Sequence, residues 1–92
     1  MIGREGHPRR ADRVVAQQVS GSAVLLNPDN GEYYALDGVG ERVWGLCDGT
    51  RSVSDLVSLL CQEYEVSATT MEADLLELLK DLARERLVVG DW

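Results

Sequence analysis

The side chains best suited to catalysis in this 92-residue chain are two cysteines and a single histidine. Nucleophilic catalysis needs a cysteine or serine beside a general base, which is most often histidine. His7 lies near the start of the chain, in a segment that we expect to be mobile. Cys47 and Cys61 lie in helical apolar patterns, where a free thiol behaves as a small hydrophobic side chain; a reactive or metal-bound pair is the alternative. The sequence therefore predicts no pairing of nucleophile and base.

Other sequence signatures of catalysis and of cofactor binding are missing as well. No glycine-rich phosphate loop follows a strand pattern, and no Cys/His cluster has the spacing of metal ligands. Most helical carboxylates belong to the polar faces of amphipathic patterns, where water solvates them. We therefore expect no catalytic residue, no metal and no cofactor, and we expect that the protein is not an enzyme.

Cysteine content and hydropathy favour a soluble, cytoplasmic protein. Two cysteines are too few for the disulfide framework of a small secreted domain. Residues 1–13 lack the apolar region of a signal peptide. No apolar run approaches the ~20 residues that span a bilayer, so no membrane association is expected.

Charge is unevenly distributed along the chain, whose net charge is −7. Residues 1–13 carry four arginines against Glu5 and Asp12, so the acidic excess belongs to the rest of the chain. This pattern predicts a flexible basic arm over residues 1–12 and a single domain over residues 13–92. The arm is either an untethered terminus or a segment that contacts a partner.

The remaining candidate for function is a pair of tyrosines, Tyr33 and Tyr34, in the strand pattern Glu32–Leu36. Consecutive residues of a strand point to opposite faces, so one ring can join a core while the other meets solvent or a partner. Alternation does not decide which ring faces out. Aromatic side chains are enriched at binding hot spots; the alternative is that both tyrosines only stabilise a sheet.

Three strands must position these tyrosines. Apolar runs at residues 14–19, 23–27 and 32–36 are separated by a Ser-Gly-Ser cluster and by Asn-Pro-Asp-Asn-Gly at residues 27–31. Proline presets φ for the first turn corner, and Asn or Gly tolerates the left-handed residue that rejoins the strands. We therefore predict an antiparallel β-meander, whose edges carry unpaired backbone groups that can accept an added strand.

From residue 37 onward, the spacing of the apolar residues changes from that of strands to that of helices. Asp37 is the expected N-cap of a first helix that runs to Asp48, with Gly49 at its C-cap position. A second helix begins with the capping-box spacing of Ser52 and Asp55. A third is capped by Ser67 or Thr69 and runs to about Glu85, and residues 87–89 form a short strand or cover the core.

Strands followed by helices indicate an α+β domain of order β-β-β-α-α-α, a three-stranded meander followed by a three-helix bundle. The last two helices and the terminal strand are also typical of a winged helix-turn-helix, which makes DNA binding the rival function. A recognition helix neutralises phosphates with Lys and Arg. The third helix instead carries five acidic residues against Lys80 and Arg84, so we expect no nucleic-acid partner.

An ordered set of motifs spans residues 14–89: LLNPDNGEYYAL at 25–36, Gly40, Val43-Trp44, DGTRSV at 48–53 and DLLELL at 74–79. Together they resemble the PqqD-like family, also called RiPP recognition elements, which bind leader segments of ribosomally made precursor peptides. The chain is most similar to the stand-alone members of lasso-peptide pathways. Two positions depart from the family pattern: Asp37 replaces a frequent asparagine, and Arg86 replaces a usual glycine.

The resemblance implies that a leader adds as an antiparallel strand beside the third strand and lies against the third helix. It places the peptide-binding residues at Glu32, Tyr33, Tyr34, Ala35, Leu36, Met71, Asp74, Leu75 and Leu78. It also implies that the domain presents the precursor to a transglutaminase-like leader peptidase, with a cyclase acting afterwards. We expect a monomer or weak homodimer, because the edge that takes a peptide could also pair with a second copy.

Overall fold

A computed structural model describes residues 5–90 of the chain. These residues form five strands and three helices, in the order β1 (Arg9–Arg10), β2 (Val15–Val19), β3 (Ser22–Asn27), β4 (Glu32–Leu36), α1 (Gly38–Leu46), α2 (Val53–Tyr64), α3 (Ala68–Arg84) and β5 (Val88–Val89). The predicted α+β class is confirmed, as is the succession of a three-stranded meander and three helices.

Strands β2, β3 and β4 form an antiparallel sheet in that spatial order. The register places Leu25 of β3 opposite Tyr34 of β4 and Ala23 opposite Leu36. Residues of β3 alternate between buried and more exposed, because the helices cover only one face of the sheet. Gly31, which closes the predicted hairpin turn, has a φ of +73°, a conformation that costs glycine little.

Each helix begins at a side chain that satisfies free backbone N–H groups. The Asp37 carboxylate accepts a hydrogen bond from Gly40 N at 2.8 Å. Ser52 and Asp55 form the predicted reciprocal capping box at the start of α2. At α3 the cap is Ser67, one of the two predicted candidates. The C-cap of α1 is Cys47 and not the expected Gly49.

A leucine- and valine-rich core lies between the sheet and the helices. Its fully buried members include Leu25, Leu56, Leu60 and Leu79. Cys47 is buried and Cys61 is half-buried, and neither forms a disulfide. Both thiols therefore pack as small hydrophobic groups, as the helical pattern predicts.

Residues 6–11, which belong to the arm predicted over residues 1–12, pack against the domain. The strands β1 and β5 pair, with Arg9 opposite Val89. The carbonyl of Gly6 accepts a hydrogen bond from Val53 N at 2.9 Å, and that of Pro8 accepts one from Gly49 N at 3.1 Å. Residues 6–11 of the predicted arm therefore contact the domain; residues 1–4 of the arm lie outside the described residues.

Candidate peptide-binding site

Strand β4 forms one edge of the three-stranded sheet. Within residues 5–90, its only strand neighbour is β3. Alternate N–H and C=O groups on the outer side of an edge strand lack strand partners and can accept another strand. The edge that the sequence singled out is therefore open.

A groove of about 400 Å³ lies beside this edge. The C-terminal half of β4 forms one wall, the third helix forms a second wall, and the start of α1 closes one end. The lining residues are Tyr34, Ala35, Leu36, Asp37, Val39, Gly40, Asp74 and Leu78. The groove thus combines apolar side chains with an open strand edge and two carboxylates.

The structure decides which tyrosine faces the groove. Tyr34 is half-buried and packs against the core, on the same side of β4 as the buried Leu36. Tyr33 points to the opposite face of the sheet and is 72% exposed. Tyr34 is therefore the tyrosine available to a peptide lying between β4 and α3.

The phenol of Tyr34 lies close to the C-terminal half of α3. Burial raises its pKa above the ordinary value, and the negative charges of Asp81 and Glu85 add to this effect. The phenol is therefore protonated at neutral pH and can both donate and accept a hydrogen bond. A polar group then stands at the end of an otherwise apolar ring.

The four predicted residues of α3 separate into two layers. Asp74 and Leu78 line the groove. Met71 and Leu75 are 6% and 2% exposed, respectively, and belong to the core. These two side chains lie outside the groove lining and support the helix that forms its wall.

The ends of β4 border different cavities. Glu32 and Tyr33 line a separate small cavity with Asn30 and Glu85, so the groove beside the β4 edge touches only the second half of the predicted strand. Three groove residues were missed as binding residues by the sequence analysis: Asp37, Val39 and Gly40. The available signal was their position, because a helix that starts directly after an edge strand must place its first turn beside that edge.

Metal coordination and membrane insertion find no support in residues 5–90. No three His, Cys, Asp or Glu side chains in this range are grouped so that they could hold a metal ion. None of the helices in the same range combines the length and the apolar character that a bilayer crossing requires.

Comparison with known proteins identifies the family. The family model described as coenzyme PQQ synthesis protein D (PqqD) matches residues 22–88. The chain belongs to the PqqD family. A PqqA binding protein of Xanthomonas oryzae pv. oryzae (strain PXO99A) is 33% identical over 89 residues, which cover 95% of each chain. The family resemblance read from the motifs is therefore confirmed.

Two similar solved structures in this comparison contain a leader peptide. TbiB1 in complex with the TbiA(beta) leader peptide is 34% identical, with a TM-score of 0.83 and coverage of 91% of this chain and 98% of that one. A lasso peptide synthetase B1 complexed with the leader peptide is 25% identical, with a TM-score of 0.80 and coverage of 90% of this chain and 98% of that one. The fold described above is thus shared with leader-binding proteins.

Proposed function

We propose that this protein binds the leader segment of a ribosomally made precursor peptide between β4 and α3. The observation that carries the proposal is the open edge of β4 beside a groove with apolar walls. Membership of the PqqD family supports it, as do the leader complexes of the two similar structures. The role is binding and not catalysis.

Strand addition explains how such a site gains both affinity and selectivity. The leader pairs its backbone with the outer edge of Glu32–Leu36, which supplies hydrogen bonds that do not depend on leader sequence. Every second leader side chain then points toward the helices. Those side chains meet Tyr34 and Leu78, and their fit to these two residues selects the peptide.

The residues of the proposed site have different tasks. Backbone atoms of β4 hold the leader, and Tyr34 and Leu78 contact its inward-facing side chains. Asp74 stands at the wall of the groove, where it can meet a polar or basic group. Met71 and Leu75 act indirectly, because their burial fixes the position of α3.

We place the protein in a lasso-peptide pathway, in the cytoplasm where precursors are synthesised. Likeness to a lasso peptide synthetase B1 supports this placement. The bound precursor is presented to a transglutaminase-like leader peptidase and then to a cyclase. Tethering raises the effective concentration of the precursor at the enzyme, often to the millimolar range for short flexible connections. The free protein is a monomer or weak homodimer, because the β4 edge that takes the leader could also pair with a second copy of the chain.

The decisive experiment uses a synthetic leader segment of a candidate precursor peptide, found by searching for short reading frames near the gene for this chain. Calorimetry should show one-to-one binding, and amide hydrogen exchange should slow along Glu32–Leu36 when the leader is bound. Protection confined to β2, the strand at the other edge of the sheet, or no binding at all, would refute the proposal. A DNA duplex at low salt should not bind, which separates this function from that of a winged-helix protein.

A further inference from the structure

The charge of the groove is concentrated at one end. Asp37 and Asp74 both line the groove, and none of the lining residues is Lys, Arg or His. The whole chain also carries a net charge of −7. A peptide entering the groove therefore meets negative potential at close range and at long range.

Within the described part of the chain, these two carboxylates lack the cationic partner that several other surface carboxylates have. Asp81 pairs with Arg84 at 3.0 Å, and Glu63 pairs with Arg42 at 2.8 Å. Within residues 5–90, Asp74 makes no hydrogen bond or ion pair. In the same range, the Asp37 carboxylate caps Gly40 N with one oxygen and forms no ion pair with a basic side chain. Both carboxylates are therefore available to a cation on a bound peptide.

The two carboxylates lie at the C-terminal end of β4. Tyr34, in the middle of the strand, is close to Asp81 in the second half of α3 and to Glu85, the C-cap of that helix. Glu32, at the start of the strand, shares a cavity with Glu85. Helix α3 therefore runs antiparallel to β4, and its earlier residue Asp74 lies toward the Leu36–Asp37 end.

We propose that the groove selects leaders that carry a Lys or Arg two positions before a large apolar residue. This inference rests on the proposed function, because it requires a leader added antiparallel to β4. In that orientation, the leader residue beside Leu36 precedes the one beside Tyr34 by two positions. Both side chains face the helices, about 6.8 Å apart along the strand. The first then reaches Asp37 and Asp74, while the second packs on Tyr34 and Leu78.

A random peptide library tests the rule without knowledge of the natural leader. Twelve-residue peptides displayed on phage are selected on the immobilised full-length protein. Enriched peptides should share a basic residue, one intervening residue and a large apolar residue. Enrichment of peptides that share the apolar residue, but show no basic preference before it, would overturn the charge rule and leave the proposed function intact. Failure to enrich any peptide would overturn both.

Charge-removing variants test whether the two carboxylates cause the preference. In the double variant Asp37→Asn/Asp74→Asn, asparagine at residue 37 still caps α1, since Asn is as good an N-cap as Asp. The matched control is Glu77→Gln, an exposed residue of α3 outside the groove lining. An enriched basic peptide should bind the double variant about three- to tenfold more weakly, as expected for two exposed ion pairs.

The same peptide with its basic residue changed to norleucine completes a double-mutant cycle between the peptide and the protein. It should bind the parent protein and the double variant with equal affinity, and Glu77→Gln should bind the basic peptide within about twofold of the parent. Raising the salt from about 50 to 500 mM should weaken the basic peptide more than the norleucine peptide, because added ions screen exposed charges. Equal binding of the basic peptide to the parent and the double variant would overturn the assignment of Asp37 and Asp74.

Discussion

Replacing Tyr34 by alanine should weaken leader binding about tenfold. The open part of the Tyr34 side chain is a minority of its surface, on the order of 40–80 Å² out of the 150–250 Å² that an aromatic side chain buries in full. Covering that area with a leader side chain contributes about 1–2 kcal/mol at ~25 cal/mol per Å². Since about 1.4 kcal/mol corresponds to a factor of ten, the dissociation constant should rise by roughly five- to thirtyfold.

Tyr33→Ala is the matched control for this measurement. It removes the same side chain from the adjacent residue, but that ring is 72% exposed on the other face of the sheet. Leader affinity should therefore stay within about twofold of the parent value. Both variants keep the backbone of β4, so strand addition itself remains possible in each of them.

Isothermal titration calorimetry at neutral pH compares the three proteins. Urea unfolding run in parallel shows whether each variant is folded, because Tyr34 also packs against the core and its loss should lower the free energy of unfolding by about 1–2 kcal/mol. Unchanged affinity of folded Tyr34→Ala would refute the groove assignment. A larger loss for Tyr33→Ala than for Tyr34→Ala would place the leader on the outer face of the sheet.

Three further predictions concern the scaffold. Burial raises the pKa of the Cys47 thiol to about 12, so a thiol reagent at pH 8 should modify the half-buried Cys61 first, and mass spectrometry after limited labelling should find Cys47 unmodified. Arg86 has a φ of +60°, so Arg86→Gly should raise the free energy of unfolding by about 0.5–1 kcal/mol in urea titrations, and an unchanged value would contradict strain at this turn. The pKa of Asp55 is held below its ordinary value, chiefly by the backbone N–H of Ser52. Its contribution to stability should therefore be complete above about pH 5 and disappear as the pH falls through the lowered pKa, and stability of Asp55→Asn should depend less on pH in that range.

Local capping chemistry made the helix starts predictable. Asp37 and the Ser52–Asp55 pair satisfy N–H groups within three residues of themselves, so their role depends on nearby residues alone. The C-terminus of α1 was not predictable in the same way. The carbonyl of Cys47, beyond the last turn, accepts a hydrogen bond from Arg10 N, a partner 37 positions earlier in the chain.

The orientation of the two tyrosines could not be read from alternation alone. A strand pattern fixes that Tyr33 and Tyr34 face opposite ways, but the register with β3 fixes which face is covered. Leu25, which is fully buried, lies opposite Tyr34. The same limit applies to α3, where the apolar stripe includes both the core residue Leu75 and the groove residue Leu78, since helical spacing does not give the position of the facing sheet.

The short strand β1 was missed because it has no alternation to detect. Arg9 and Arg10 are polar, and two residues are too few to show a period of two. Their partners come from the far end of the chain: Arg9 pairs with Val89, and Ala11 N donates to the Leu87 carbonyl at 3.0 Å. Only tertiary pairing makes this segment a strand.

Pairing of β1 with β5 brings the beginning and the end of the described chain side by side. A domain with adjacent ends can be joined to another protein at either end, or inserted into a loop of a larger one, with little distortion of the host. The open edge of β4 belongs to the other sheet, so such a fusion would not need to cover it. The geometry of the two-stranded sheet is therefore compatible with a domain that stands alone and with one that is built into a larger chain.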